Sequence, residues 1–235
     1  MSEVNYTSPT ERVETWLDQT TLHIRFNNVA KHNALSVDMW EAVPHLLTQA
    51  ESDPRVRLVV FSGAGEKAFV SGADISQFED MRAAKEAVTR YEHMAETALM
   101  SIYNFPKPTL ACIQGYCIGG GVGVALNCDI RIAASSAKFA ESFVRLGITP
   151  GDGGAWLLPR IVGFSKATEL ALTGETIDAA EALRIGLVTQ VVDDADLMPA
   201  VIKEAQKLGM KVIPWTVNQR ADMQRLMDWP MSMAG

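Results

Sequence analysis

Residues 108–134 read PTLACIQGYCIGGGVGVALNCDIRIAA, and this stretch carries the strongest structural signal in the chain. Residues 109–114 are apolar or small, a pattern that is typical of a strand covered on both faces. Glycines then interrupt the pattern, and residues 122–127 predict a short apolar helix that leads into a second buried strand. This strand–helix–strand order indicates a layered α/β structure.

Three adjacent glycines, Gly119, Gly120 and Gly121, admit two interpretations. Because they lack side chains, a ligand could approach their backbone N–H groups at the start of a helix. The positive end of the helix dipole there favours an anion or a developing oxyanion. The same glycines could instead let the helix pack closely against a strand, with no ligand involved. The stretch alone leaves both interpretations open.

Composition limits the class of protein. The chain has 235 residues, of which 48% are hydrophobic, enough for one large domain or one domain with an appendage. A net charge of −7 argues against a general nucleic-acid binder. No signal peptide or membrane-spanning run is visible, so we expect a cytoplasmic protein. The cysteines, odd in number and without CxxC spacing, predict buried thiols and neither disulfides nor metal ligands: Cys112, Cys117 and Cys128.

Strand and helix patterns alternate on both sides of the central stretch, which favours an α/β fold. Predicted strands cover residues 11–17, 21–26, 57–61, 68–70, 138–140 and 187–192. Predicted helices follow Ser36 and cover residues 82–104, 157–162, 166–172, 178–186 and 196–207. Pro44 lies within the first helical pattern and predicts a kink or an early end. No GxGxxG follows a strand and no GxxxxGK[ST] occurs, so a nucleotide-phosphate site is not indicated.

Further motifs join the central stretch. KAFVSGADI at residues 67–75 precedes IQGYCIGGGVGVALNCDIRIA, and KHNALS, LGITPGDGGAWLLPRIVG and TGETIDAAEALRIGLVTQVV complete the series. Together the five motifs resemble the enoyl-CoA hydratase/isomerase, or crotonase, superfamily over about residues 11–204. The resemblance implies a spiral of ββα turns, assembly as a homotrimer or hexamer, and an acyl-CoA thioester as substrate. It implies no metal and no separate cofactor, because coenzyme A arrives as part of the substrate.

The resemblance also implies site residues. In the family, two backbone N–H groups hold the thioester oxygen, and the matching residues here are Ala73 and Gly120. Two donors on a rigid frame suit a developing enolate oxygen. The implied substrate-binding residues are Ala30, Lys31, Ser71, Gly72, Ala73, Asp74, Ile75 and Gly120. We expect the Lys31 side chain to be solvated, and Asp74 to be either a turn or cap residue or a ligand contact.

The sequence departs from a hydratase at the catalytic acids. Hydratases of the family use two glutamates to add water, and the matching positions hold Gly123 and Phe143. Neither residue can transfer a proton, so two-glutamate hydration is not expected. Two acids lie nearby in sequence, and we rank Asp152 first and Glu141 second as the acid/base. The alternatives are that Asp152 is a turn residue and that Glu141 pairs with Arg145.

A second departure concerns the C-terminus. We divide the chain into a core at residues 1–194 and an atypical C-terminal region at residues 195–235. Within that region, residues 205–229 resemble one helix–strand–helix unit of the glycerophosphodiester phosphodiesterases, with a strand at 211–217 and a helix at 221–227. The unit carries none of the metal-binding acids of those enzymes, so the resemblance implies no such activity. It predicts an altered pocket lid and trimer surface.

Taken together, the motifs predict an acyl-CoA enzyme, lyase or isomerase, of fatty acid metabolism that stabilises a thioester enolate. The alternative is an acyl-CoA-binding or scaffold protein of low activity, since both hydratase glutamates are missing. We expect neither nucleic acid nor a membrane as a partner.

Overall fold

The computed structural model describes residues 6–74 and 85–209. Its strands are β1 (Val13–Asp18), β2 (Thr21–Phe26), β3 (Leu58–Gly63), β4 (Ala68–Val70), β5 (Thr109–Ile113), β6 (Tyr116–Ile118), β7 (Ile130–Ala134), β8 (Lys138–Ala140), β9 (Ile177–Asp178) and β10 (Gln190–Val192). Its helices are α1 (Val37–Ser52), α2 (Lys85–Tyr103), α3 (Gly120–Asn127), α4 (Gly154–Val162), α5 (Phe164–Thr173), α6 (Ala179–Arg184) and α7 (Leu197–Gly209). The predicted strand at 211–217 and the predicted helix at 221–227 lie outside the described residues.

The strands form two sheets, and the chain alternates between them. The large sheet has the order β1-β2-β3-β5-β7-β10 and the small sheet the order β4-β6-β8-β9. Three successive strand pairs, β3 with β4, β5 with β6 and β7 with β8, each place the first strand in the large sheet and the second in the small one. The intervening pairings are parallel, and helices follow β4, β6 and β8. This repeated path confirms the predicted α/β fold and its ββα spiral.

The apolar runs in the sequence become the buried strands of the large sheet. Strands β3 and β5 are buried along their whole length, because helices and the small sheet cover one face while α7 covers the other. The predicted C-terminal region therefore begins with a helix that packs on the outer face of the sheet, where Leu197 and Val201 meet Leu58 and Val60. The three cysteines are buried and free, as predicted, and burial raises the pKa of each thiol.

Two local features refine the expectations from the sequence. Of the two outcomes predicted for Pro44, the early end does not occur, and helix α1 continues to Ser52 because Val43, Leu46 and Leu47 around the proline are buried in the core. Burial of these side chains outweighs the backbone hydrogen bond that proline cannot donate. The segment in which glycines interrupt the apolar pattern also contains β6, a strand of only three residues that joins the small sheet.

Within residues 6–74 and 85–209, no helix is both long enough and apolar enough to cross a lipid bilayer. The same residues contain no group of three or more His, Cys, Asp or Glu side chains arranged to hold a metal ion.

Candidate active site

The small sheet brings distant parts of the sequence to one edge. Strands β4, β6 and β8 are parallel neighbours, so their carboxyl ends lie side by side. The chain leaves β4 into residues 71–74, leaves β6 into Gly119 and Gly120, and leaves β8 into Glu141. Ligands of open parallel sheets bind outside such carboxyl ends. The topology therefore places most of the predicted site residues on one edge of the small sheet.

Ala73 and Gly120 both offer an unused backbone donor. Gly120 is the first residue of α3, so its N–H has no acceptor within the helix. Among the described residues, neither N–H donates to a backbone carbonyl. A Cβ built on Gly120 would lie 3.8 Å from the carbonyl carbon of Gly72, which immediately precedes Ala73. The two segments that carry the predicted oxyanion donors are therefore in contact.

The sequence left close packing and ligand approach open for the adjacent glycines. Gly121 and Gly120 differ in what a side chain at each position would contact. A Cβ on Gly121 would overlap the carbonyl oxygen of Val70, so this glycine permits the close packing of α3 on β4. A Cβ on Gly120 would instead face Trp40 at 3.5 Å and a side-chain oxygen of Asp152 at 3.3 Å. Gly121 is thus a packing residue, whereas Gly120 borders the candidate site.

The predicted substrate-binding loops are joined to each other. The N–H of Leu35 donates to the carbonyl of Gly72 at 2.8 Å, and the N–H of Asp74 donates to the carbonyl of Leu35 at 2.9 Å. The ammonium of Lys31 donates to the carboxylate of Asp74 at 2.7 Å, and Asp74 is only 6% exposed. The Lys31 side chain is exposed, as expected, and in addition its ammonium group pairs with a buried acid. Ile75 lies outside the described residues, and Ala30 is exposed beside Lys31.

Asp152 occupies the space that a side chain at position 123 would need. Its Cβ and its carbonyl oxygen both lie 2.7 Å from where a Cβ on Gly123 would be. Its φ of 54° falls in the left-handed region, which aspartate tolerates better than most residues and which recurs at functional sites. Burial raises the pKa of Asp152 to about 6. The carboxylate that we ranked first thus stands beside the position of the missing first glutamate.

Glu141 is the most buried carboxyl group at the site. It is 3% exposed, and no described residue hydrogen-bonds to either of its oxygens. Burial, and secondarily the charge of Asp152, raises the pKa of Glu141 to about 8. The expected ion pair with Arg145 is wrong. The short 3₁₀ helix after Glu141 carries Arg145 to Gly174 instead, where its Cγ lies 3.4 Å from the position of a Cβ on that glycine.

A cavity of about 550 Å³ lies between α2 and residues 150–157. Its mostly apolar wall includes Ala95, Leu99, Asp152 and Trp156. Trp156 is 60% exposed, so it borders this space and does not fill the core. The cavity can accept an apolar group with the Asp152 carboxylate at its inner side, while Glu92 and Glu96 line it from the exposed side of α2.

Two aromatic residues at the site were not singled out by sequence reasoning. Trp40 on α1 donates its indole N–H to the hydroxyl of Tyr91 on α2 at 2.9 Å. The Trp40 ring lies beside Gly120, and Tyr91 lines the cavity. Both residues occupy ordinary apolar positions in helical patterns, so no sequence signal distinguished them. Phe143, at the position of the second missing glutamate, has its ring 3.8 Å from the position of a Cβ on Gly119.

The sequence model described as enoyl-CoA hydratase/isomerase matches residues 17–228. The chain belongs to this family. Among similar members, the short-chain-enoyl-CoA hydratase of Clostridium acetobutylicum is 38% identical over 185 residues, covering 79% of this chain and 70% of its own. The crotonyl-CoA hydratase of Syntrophomonas wolfei is 40% identical over 179 residues, covering 76% of this chain and 68% of its own.

Solved structures of the hydratase/isomerase family share the fold. An enoyl-CoA hydratase from Bacillus anthracis superposes with a TM-score of 0.82 at 35% identity, covering 86% of this chain and 78% of that one. An enoyl-CoA hydratase/isomerase family protein from Hyphomonas neptunium superposes with a TM-score of 0.84 at 32% identity, covering 97% and 87%. The family assignment therefore rests on both sequence and structure.

Proposed function

We propose that this member of the hydratase/isomerase family moves a proton next to the thioester of an acyl-CoA, with Asp152 as the acid/base. The N–H groups of Ala73 and Gly120 hold the thioester oxygen, and Glu141 is the second carboxyl group of the site. The observation that carries the proposal is the position of Asp152, whose carboxylate oxygen lies 3.3 Å from the Cβ position of Gly120. A base is thereby set beside the candidate oxyanion donors.

The chemistry follows from that arrangement. Two N–H donors polarise the thioester carbonyl and stabilise the enolate oxygen by several kcal/mol. In a 3-enoyl thioester, Asp152 takes a proton from C2, and the electron pair of the broken C–H bond delocalises through the C3–C4 double bond and the carbonyl as a dienolate. The same carboxyl group then gives the proton to C4, so the double bond moves from C3–C4 to C2–C3. A pKa of about 6 leaves Asp152 ionised at neutral pH while it remains basic enough to act.

Isomerisation fits this chain better than hydration. Addition of water in the family's manner needs two glutamates, and Gly123 and Phe143 replace both. Asp152 also fills the space beside Gly123, so the carboxylate next to Gly120 is a single one where a pair would be required. Glu92 and Glu96, which also line the cavity, lie on the exposed side of α2. The curated relatives are named as enoyl-CoA hydratases, which supports an enoyl thioester as the substrate class.

The proposal includes binding and assembly. Residues 71–74 and the loop containing Ala30 and Lys31 would receive coenzyme A, and the ion pair between Lys31 and Asp74 supports the loop shape. Coenzyme A enters as part of the substrate and not as a separate cofactor. The family's homotrimer or hexamer, located in the cytoplasm, is the assembly that we expect.

A substrate panel tests the function. The protein is incubated with 2-enoyl-, 3-enoyl-, dienoyl- and aryl-CoA esters while absorbance and released thiol are followed, and the panel is repeated with Asp152→Asn. We expect isomerisation to fall by about 10²- to 10⁴-fold, the usual contribution of a general base. The matched control is Asp18→Asn at the exposed end of β1, which should leave turnover unchanged.

Two outcomes would contradict the proposal. Turnover that survives Asp152→Asn would remove Asp152 from the mechanism. Tight binding of CoA esters without turnover of any of them would favour the alternative, an acyl-CoA-binding or scaffold protein.

A further inference from the structure

Glu141 lies behind the candidate site and does not line the cavity that contains Asp152. It borders a separate pocket of only about 10 Å³, whose other walls are apolar and include Val122, Phe139 and Leu158. A group in this position does not reach an acyl chain in the larger cavity. Any effect of Glu141 on the reaction must therefore pass through a neighbouring residue.

Among the described residues, no hydrogen-bond donor and no basic side chain pairs with the Glu141 carboxyl group. Strand β6 presents the buried thiol of Cys117, helices α3, α4 and α5 present apolar side chains, and no described residue donates a hydrogen bond. Within residues 6–74 and 85–209, the charged group that acts on it is Asp152, which has the same sign. An ionised carboxylate without a donor or a cation is costly to bury. The geometry thus favours the uncharged acid.

The first turn of α4 connects Glu141 to Asp152. A side-chain oxygen of Glu141 lies 2.8 Å from where a Cβ on Gly154 would be, so the carboxyl group packs directly against that glycine. The N–H of Gly154 donates to the carbonyl of Gly151 at 2.8 Å, which closes a turn around Asp152. The Glu141 carboxyl group packs against this turn at Gly154. The Asp152 side chain, on the same turn, lies beside Gly120 and Gly123.

We propose that Glu141 is a positioning residue that, as an uncharged acid, supports the turn at residues 151–154 and so holds Asp152 beside the oxyanion donors. The inference rests on the proposed role of Asp152 as acid/base. When Glu141 loses its proton, two carboxylates of like charge stand on the two sides of this turn, and no described cation pairs with Glu141. The turn is then pushed away from Glu141, and proton transfer slows although Asp152 itself is ionised.

The pH dependence of kcat/KM tests the inference. The wild-type profile should rise near pH 6, as Asp152 ionises, and fall near pH 8, as Glu141 ionises. Glu141→Gln has nearly the same shape and stays neutral, so it should keep the rising limb and lose the falling one. Glu175→Gln, at an exposed glutamate, is the matched control and should leave both limbs in place. A falling limb that persists in Glu141→Gln overturns the inference.

A second measurement does not depend on the variant being folded. The side-chain carboxyl carbon of Glu141 is titrated by ¹³C NMR in the wild-type protein, and we expect the protonated signal at pH 7. An ionised signal at that pH overturns the inference. Failure of the proposed function looks different, because the wild type would then turn over no thioester, or Asp152→Asn would remain active, whatever the titration of Glu141.

Discussion

The candidate site consists of two parts that are built differently. The backbone half comprises the N–H groups of Ala73 and Gly120, which stand at the ends of neighbouring strands β4 and β6. The carboxylate half comprises Asp152 and Glu141, which meet through a loop and the first turn of α4. Strand ends of one sheet are fixed by many hydrogen bonds, whereas a loop is fixed by a few side-chain contacts. The backbone half is therefore rigid, and the carboxylate half is the part that substitutions and pH can move.

The largest effect that we expect comes from breaking the frame of the backbone half. Gly121→Ala would place a Cβ onto the carbonyl oxygen of Val70, so helix α3 must move away from β4. We expect the free energy of unfolding to fall by about 3 kcal/mol or more, the upper range for overpacking a core. Urea denaturation measures this free energy of unfolding. Gly151→Ala is the control, since a Cβ there meets nothing within 4 Å, and equal stability losses in the two variants would contradict the packing role.

The next effect concerns the stability of the carboxylate half against pH. The pKa of Glu141 is raised from 4.5 to about 8 in the folded protein, so the folded state keeps a proton that the unfolded chain releases. Stability contributed by this group is complete below about pH 4.5 and is lost as pH rises towards 8. The slope is at most about 1.4 kcal/mol per pH unit for one proton.

Thermal unfolding of the wild type and of Glu141→Gln across this pH range measures the slope. The variant should lose less stability than the wild type as pH rises from 5 to 8. Parallel curves for the two proteins would mean that Glu141 is ionised in the folded state across this pH range. The carboxylate half would then not owe any pH sensitivity to Glu141.

Sequence reasoning reached the backbone half more completely than the carboxylate half. For Ala73 and Gly120, motif resemblance gives the positions and the parallel strands bring those positions together, while their role as oxyanion donors stays a prediction. For Asp152 the sequence supplied a candidate, but its fit beside Gly123 depends on the path of the loop, which no local pattern specifies. The predicted pairing of Glu141 with Arg145 is wrong for the same reason, because a short 3₁₀ helix places the arginine against Gly174.

A smaller effect is expected at Gly123, where helix α3 contacts the loop that carries Asp152. Gly123→Glu restores the glutamate that hydratases of the family have, but its Cβ would come within 2.7 Å of both Cβ and the carbonyl oxygen of Asp152. We expect a stability loss of about 1–3 kcal/mol and loss of isomerisation. Adding Asp152→Gly removes one of the two close contacts and also suits the positive φ at that position.

A double-mutant cycle gives the coupling between positions 123 and 152. The double variant should recover part of the stability that Gly123→Glu loses, so that the two changes are not additive. Strict additivity would show that the conformation of the Asp152 loop does not depend on Gly123. The position of Asp152 would then be independent of the absence of a glutamate at position 123.

The smallest effect should come from the loop that borders the backbone half. Lys31→Met removes the cation that holds the buried carboxylate of Asp74, and the partly exposed position of Lys31 limits the cost to about 1 kcal/mol. Because the loop with Leu35 hydrogen-bonds to Gly72 and Asp74, we expect KM for CoA esters to rise several-fold while kcat changes little. Steady-state kinetics measure kcat and KM separately. The double variant Lys31→Met with Asp74→Asn also removes the buried negative charge with which Lys31 pairs, and it should restore stability but not KM. A fall in kcat with unchanged KM would instead mean that the ion pair acts on the oxyanion donors themselves.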